Sequence, residues 1–267
     1  MPYIIYSMNI LFIGDIVGKI GRQTVRTLLP GLIQKYKLDF VIVNGENAAG
    51  GFGITEKTAT ELFDCGVHVI TTGNHIWDKK EALSYITKEN RVLRPINYPS
   101  GVPGTGSIVI TLPGKEKVAV INVSGRVFMN ILDCPFRTSL REVERLSEIT
   151  NIIIIDMHAE ATSEKTAFGY YMDGKVSAVV GTHTHVQTAD EKILPQGTAY
   201  ISDVGMTGPE ISVIGVEKQQ IIDKFLDHMP RKYDIAGGKG MLCAVVLEID
   251  ANSGRSTAIQ RVQLITE

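Results

Sequence analysis

Short apolar runs, rich in β-branched residues and bounded by glycine, asparagine or aspartate, recur through most of the chain. Residues 9–13 (NILFI), 40–43 (FVIV) and 67–71 (VHVIT) are nearly continuous rather than alternating, the pattern of strands covered on both faces. Between the first two, Val25, Leu28, Leu29, Leu32, Ile33 and Tyr36 recur at helical spacing. Pro30 and Gly31 fall inside that run and predict a kinked or broken helix. Between the second and third, Thr55 is placed to cap a helix carrying Ala59, Leu62 and Phe63, with Gly66 ending it. The chain therefore opens as βαβαβ.

The middle changes character. Residues 107–112 and 117–123 read as an antiparallel hairpin across Pro113 and Gly114. A helix at about 137–149 leads into 152–156 (IIIID), the most apolar strand, and further strands are predicted at 176–180 and 198–202. Residues 241–249 and 256–264 form a second hairpin pattern. No repeat or linker interrupts this, so the expectation is one α/β domain over 1–267, with two sheets of mixed direction and helices outside them. Residues 1–7 are expected to be an extension before the first strand, and Met8 is an alternative start.

Composition narrows the classes. With 267 residues and 44% apolar content, the chain can bury a sizeable core without covalent staples. A formal charge of −2 supplies no global basic field for nucleic acid or an anionic membrane. Cys65, Cys134 and Cys243 are far apart and form no CxxC pair, which argues against a thiolate zinc site and suits a cytoplasmic setting. No apolar run reaches the roughly 20 residues of a spanning helix, and the N-terminus lacks the charged start of a secretory signal.

The candidate chemistry lies at the ends of the apolar strands. They terminate in Gly14–Asp15, in Asn44–Gly45–Glu46–Asn47, in Gly73–Asn74–His75, in Asp156–Met157–His158 and in Gly181–Thr182–His183–Thr184–His185. Open α/β sheets bind ligands beyond the carboxyl ends of their strands, so five such ends can converge on one site. Four of the six histidines lie in these segments, and only His68 and His228 do not. Two residues apart, His183 and His185 would share one side of an extended segment. Each piece alone has a bland explanation as a turn or a satisfied polar strand end; the conjunction does not. His68, inside a buried-looking strand, and His228, before Pro230, are better read as structural. A set of hard oxygens and imidazoles suits iron, manganese or zinc, and exceeds what one tetrahedral zinc takes, so two ions are the economical reading. Residues 14–19 (GDIVGK) only imitate a phosphate loop: three residues separate the glycines, and Ile20 stands where the magnesium-holding hydroxyl would be.

The ordered set GD, NGEN, GNH, DMHAE and GTHTHV resembles the calcineurin-like metallophosphoesterase superfamily, and specifically its YmdB-like bacterial phosphodiesterase branch, from about Met8 to the C-terminus. The superfamily usually begins Asp-x-His, where Val17 stands here, and offers a bridging Asp where Glu46 stands; both departures are those of the YmdB-like branch. The resemblance implies a metallophosphoesterase-type four-layer sandwich, two mixed β-sheets flanked by helices. It implies Asp15, Glu46, Asn47 and His185 around one metal ion, with Glu46 bridging to a second held by Asn74, His158 and His183. His75 is then the proton donor rather than a ligand, and a metal-bridging hydroxide attacks a phosphodiester, 2′,3′-cyclic nucleotides included. Iron or manganese is favoured and zinc is compatible. The partners implied are a small phosphodiester and further copies of the chain; an RNA-linked role gains nothing from the charge, and no membrane is implied. Two other classes stay open at this point: a metal-stabilised regulatory or binding protein with marginal catalysis, and a metal-dependent acyl hydrolase.

Overall fold

The apolar strand positions divide between two sheets whose facing sides bury each other. The architecture is seen in a computed structural model that describes residues 7–114 and 116–267. Strand β1 (Ser7–Ile13) is followed by the short β2 (Asp15–Ile16), helix α1 (Gly18–Tyr36), β3 (Phe40–Asn44), α2 (Glu56–Phe63), β4 (Val69–Thr71) and α3 (Lys80–Tyr85). The chain then builds a second sheet from β5 (Ser107–Thr111), β6 (Lys117–Ser124), β7 (Ile152–His158), β8 (Ala178–Thr182), β9 (Lys192–Ile193) and β10 (Ala199–Ile201). Helices α4 (Pro135–Ser147) and α5 (Thr162–Met172) lie within this stretch. It returns to the first sheet through β11 (Met206–Pro209), α6 (Lys218–Asp227), β12 (Gly240–Asp250) and β13 (Ser256–Ile265). Apart from Ser7, which opens β1, the expected N-terminal extension lies outside the described residues.

The first sheet has the order β2-β11-β12-β1-β3-β4, with β13 along the other edge of β12; the second runs β5-β6-β7-β8-β10-β9. Strands β1, β3 and β4 are parallel to one another, as are β6, β7, β8 and β10, and the remaining long pairings are antiparallel. Alternation along each strand explains why the runs are apolar throughout. Met8, Ile10 and Phe12 of β1 meet Ile152 and Ile154 of β7 between the sheets. Leu11 and Ile13 face Val25, Leu29 and Leu32 of α1, while Ile153 and Ile155 face Val143 and Leu146 of α4 and Phe168 of α5. Strands β3 and β7 are buried along their whole length, and their polar positions fall towards the carboxyl end.

Two expectations are corrected. Pro30 and Gly31 do not break the first helix, which runs unbroken from Gly18. Both residues face solvent, where water can satisfy the backbone acceptor the proline leaves, while buried Val25, Leu29 and Leu32 hold both halves to the sheet. The third strand begins at Val69 rather than Val67, because His68 pairs outside the ladder: its Nδ1 accepts from Val41 N at 3.1 Å, and its ring stacks on Phe40. His228 ends α6 in a left-handed conformation (φ 59°), a structural position as expected. No helix among the described residues is long and apolar enough to cross a membrane.

Candidate metal centre

The parallel strands of both sheets end at the same rim of the sandwich, and their polar termini meet there. Asp15 opens β2; Glu46 and Asn47 follow β3; Asn74 and His75 follow β4; His158 ends β7; His183 and His185 follow β8. All eight predicted residues are brought together. Their donor atoms form two groups that share one carboxylate: Glu46, His158 and His183, and Asp15, Glu46 and His185, the atoms of each within 4.8 Å of one another. Asn74 Oδ1 lies 3.1 Å from His158 Nε2 in the first group, and Asn47 Nδ2 lies 3.2 Å from His185 Nε2 in the second. The oxygens come from the first sheet and the imidazoles from the second.

Each imidazole is oriented by an oxygen on its outer nitrogen. Thr182 Oγ1 donates to Asp156 Oδ1 at 2.7 Å, so at 2.9 Å from His158 Nδ1 it must accept that ring's proton. His185 Nδ1 donates to the Ile214 carbonyl at 2.9 Å, and His183 Nε2 faces Glu160 Oε2 at 3.0 Å. The inner nitrogens, Nε2 of His158 and His185 and Nδ1 of His183, are left to present lone pairs to the centre. Behind them, buried Asp156 also accepts from Thr71 Oγ1 at 2.5 Å and Asn44 Nδ2 at 3.0 Å, joining the two sheets below the rim. Burial pushes the Asp156 carboxyl up against the opposing effect of these hydrogen bonds and of His158.

The backbone is shaped for this. His183 and His185 do not reach the centre from one side of an extended segment; both have positive φ, 102° and 66°, so the chain turns through left-handed conformations after β8. Such conformations cost about 1–3 kcal/mol each and need surroundings that fix them. His183 N donates to Asp15 Oδ2 at 3.1 Å, and Thr184 N donates to Asp203 Oδ2 at 3.0 Å. Gly73 matters for a different reason: a Cβ there would lie 2.2 Å from His158 Nε2 and 2.3 Å from Glu46 Oε2. Only glycine leaves room for those donors.

The electrostatics are those of a cluster waiting for positive charge. Burial raises the Asp15 carboxyl to about 7 despite His185 and His158. Burial also works against the Glu46 charge, but His158 overrides it and holds Glu46 down at about 2. Burial alone would lower the His158 imidazolium; Glu46 and Asp15 lift it instead to about 9. His183 falls to about 3 through burial and the neighbouring His158 charge.

Three observations fit the donors to metal ions. Asp15 Oδ1 is buried with no hydrogen-bond partner among the described residues, an acceptor with nothing to accept from. His158 Nε2 lies 3.2 Å from Glu46 Oε2 and 3.1 Å from His183 Nδ1. Donors around an ion with bond lengths of about 2.0–2.2 Å are themselves about 3.0–3.5 Å apart. The donor chemistry, carboxylate and amide oxygen with imidazole nitrogen, is that of borderline transition metals.

A profile of the YmdB-like protein family matches residues 11–262. The chain belongs to the YmdB-like family. That family lies within the metallophosphoesterase superfamily, which implies divalent metal ions. A similar protein is the 2′,3′-cyclic-nucleotide 2′-phosphodiesterase of Bacillus subtilis strain 168, 49% identical over 255 residues that cover 96% of each chain. Among solved structures, a hypothetical protein from Thermus thermophilus superposes with a TM-score of 0.91 at 42% identity, over 97% of this chain and 100% of that one. A phosphatase from Mycoplasma pneumoniae superposes with a TM-score of 0.92 at 35% identity, over 98% and 94%. Within this YmdB-like fold Asn44, Thr182 and Glu160 stand inside the segments singled out from the sequence without a role being assigned to them, while Thr71 and Asp203 were not singled out. Membership of those segments is the one signal that could have found the first three; Thr71 and Asp203 lack it.

Proposed function

We propose that this chain is a dinuclear-metal phosphodiesterase that hydrolyses small phosphodiesters, 2′,3′-cyclic nucleotides among them. The observation that supports this best is the membership of Glu46 in both donor groups, the arrangement a bridging carboxylate needs. Asp15, Glu46, Asn47 and His185 would hold one ion, and Glu46, Asn74, His158 and His183 the other. Iron or manganese is favoured by the mixed oxygen and nitrogen donors, and zinc is compatible. When bound, the ions supply Lewis acidity, offsetting charge on the phosphoryl oxygens and lowering the pKa of water.

The remaining steps fall to side chains. Hydrolysis adds a water oxygen to phosphorus and breaks one ester bond, and the departing alkoxide needs a proton. His75 lies beside Asn74 at the cleft, with its Nδ1 2.8 Å from Asp78 Oδ2. Asp78 fixes the ring by accepting the Nδ1 proton, so Nε2 is the position from which the departing oxygen is protonated. Phe52 packs edge-on against the same ring with centroids 5.1 Å apart and limits its rotation. The similar Bacillus subtilis protein, by its name, acts on such a substrate. The cysteines Cys65, Cys134 and Cys243, none in a disulfide, support a reducing, cytoplasmic setting.

The test pairs metal analysis with turnover of bis-p-nitrophenyl phosphate. Protein purified without chelator should carry about two transition-metal ions per chain. His75→Ala should keep them and lose about 10²–10⁴-fold in kcat. Glu46→Ala should lose both metal and turnover; full activity with unchanged metal content in that variant would sink the dinuclear reading.

A further inference from the structure

Beside His75 the rim opens into a hollow of about 420 Å³, within the size range of small-ligand pockets. Its floor is Glu46, Asn47, His183 and His185; its opposite wall is Phe52, Ile214, Val216, Tyr233 and Ile235. A second hollow on the far side of His183 is formed by Asn74 and the 128–130 loop and does not include His75. Among the described residues, no lysine or arginine lines either hollow.

The apolar wall is preformed. Val213 and Val216 pair with each other, and Val216 pairs with Ile235. Ala236 N donates to Gly215 O, and Glu217 N donates to Asp234 O. Ile235 sits so close to the glycine loop that a Cβ on Gly51 would lie 2.5 Å from its Cδ1. His185 ties the wall to the donor cluster through the Ile214 carbonyl. Beyond the Ile214 carbonyl on His185 and the Phe52 ring on His75, these residues supply the centre with no polar group, and they leave an apolar slot with two aromatic rings beside the group proposed to protonate the leaving oxygen.

We propose that this slot is a seat for the nucleobase on the leaving side of the phosphodiester, with Tyr233 and Phe52 as its specificity-determining rings. The inference rests on the phosphodiesterase reading of the centre and adds which part of the substrate is read. A flat, uncharged ring gains from aromatic and apolar contact here. A long polyanionic strand gains little more, since among the described residues no lysine or arginine lines either hollow to neutralise phosphates beyond the one at the donor cluster. The site thus selects mononucleotide-sized cyclic phosphates by their base and disfavours RNA ends.

The experiment compares kcat/KM for uridine 2′,3′-cyclic phosphate, glycerol 1,2-cyclic phosphate, which has the same strained ring and no base, and an RNA oligonucleotide ending in a 2′,3′-cyclic phosphate. The metal-loaded enzyme should favour the uridine ester over the glycerol ester by about 10- to 100-fold, and over the oligonucleotide end. Tyr233→Ala and Phe52→Leu should erode the base preference, kcat/KM on the uridine ester falling further than on the glycerol ester. Tyr233→Phe should retain the preference, and so should Phe128→Ala, across the second hollow. Equal kcat/KM for the two small esters, or loss of preference in Phe128→Ala but not in Tyr233→Ala, overturns the seat while leaving the phosphodiesterase reading intact. No turnover of any of the three esters overturns that reading and the seat with it.

Discussion

Lys165 Nζ lies 2.7 Å from Asp203 Oδ2, both side chains buried, and donates as well to the Thr182 carbonyl at 2.8 Å. The same Asp203 oxygen receives Thr184 N, and its other oxygen receives Gly205 N at 2.8 Å. One ion pair therefore brackets the turn that carries His183 and His185 and holds it in its left-handed conformation. Removing one partner of a buried pair costs about 3–5 kcal/mol, because the other charge is left alone. Lys165→Met should lower stability by that order in urea unfolding and weaken metal retention; unchanged values on both counts would show that the turn is held by other contacts.

Gly73→Ala tests the donor cluster without touching a donor. The added methyl would occupy the space between His158 Nε2 and Glu46 Oε2. The expected outcome is a folded protein, by circular dichroism, whose metal content drops by at least one ion per chain and whose phosphodiesterase activity is lost.

Thr182→Val removes the acceptor that fixes the His158 proton on Nδ1. Loss of such an orienting partner typically costs 10–100-fold in metal affinity or activity. Competition with a chelator should show a weakened affinity of this order, whereas Thr182→Ser, which keeps the hydroxyl, should stay close to the parent protein.

Metal uptake should release protons. In the metal-free cluster His158 holds its proton up to about pH 9 and Asp15 up to about pH 7. A metal ion needs both groups unprotonated, so apparent affinity rises with pH. Between pH 7 and 9 the His158 proton alone gives about ten-fold per pH unit, and below pH 7 the Asp15 proton steepens the slope. Isothermal titration in buffers of different ionisation enthalpy counts the protons; a pH-independent affinity from 6 to 8 would contradict the arrangement.

The strands and the polar rim were legible in the sequence because both obey local rules. Ile152–Ile155 are apolar at every position since Ile152 and Ile154 face one layer and Ile153 and Ile155 another. The donors sit within a few residues of those runs. What was hidden obeys no local rule. Helix α5 turns Glu164 and Lys165 inward, where the Arg126 and Val127 amides and Asp203 satisfy them, so its pattern is not amphipathic. Helix α6 buries no residue at all. Phe52 and Tyr233, 181 positions apart in the chain, line the same hollow, a placement that no spacing encodes. The break foreseen at Pro30 failed because packing on both sides of it outweighed one lost hydrogen bond.

The division of donors between the sheets has a consequence for synthesis. A chain emerging from the ribosome presents Asp15, Glu46, Asn47 and Asn74 early and all three imidazoles only after residue 185. The first sheet is itself unfinished until β12 and β13, the last 28 residues, slot in beside β1. A product that stops before β12 carries every donor yet leaves β1 without its antiparallel neighbour, so the sheet that presents the oxygens is incomplete.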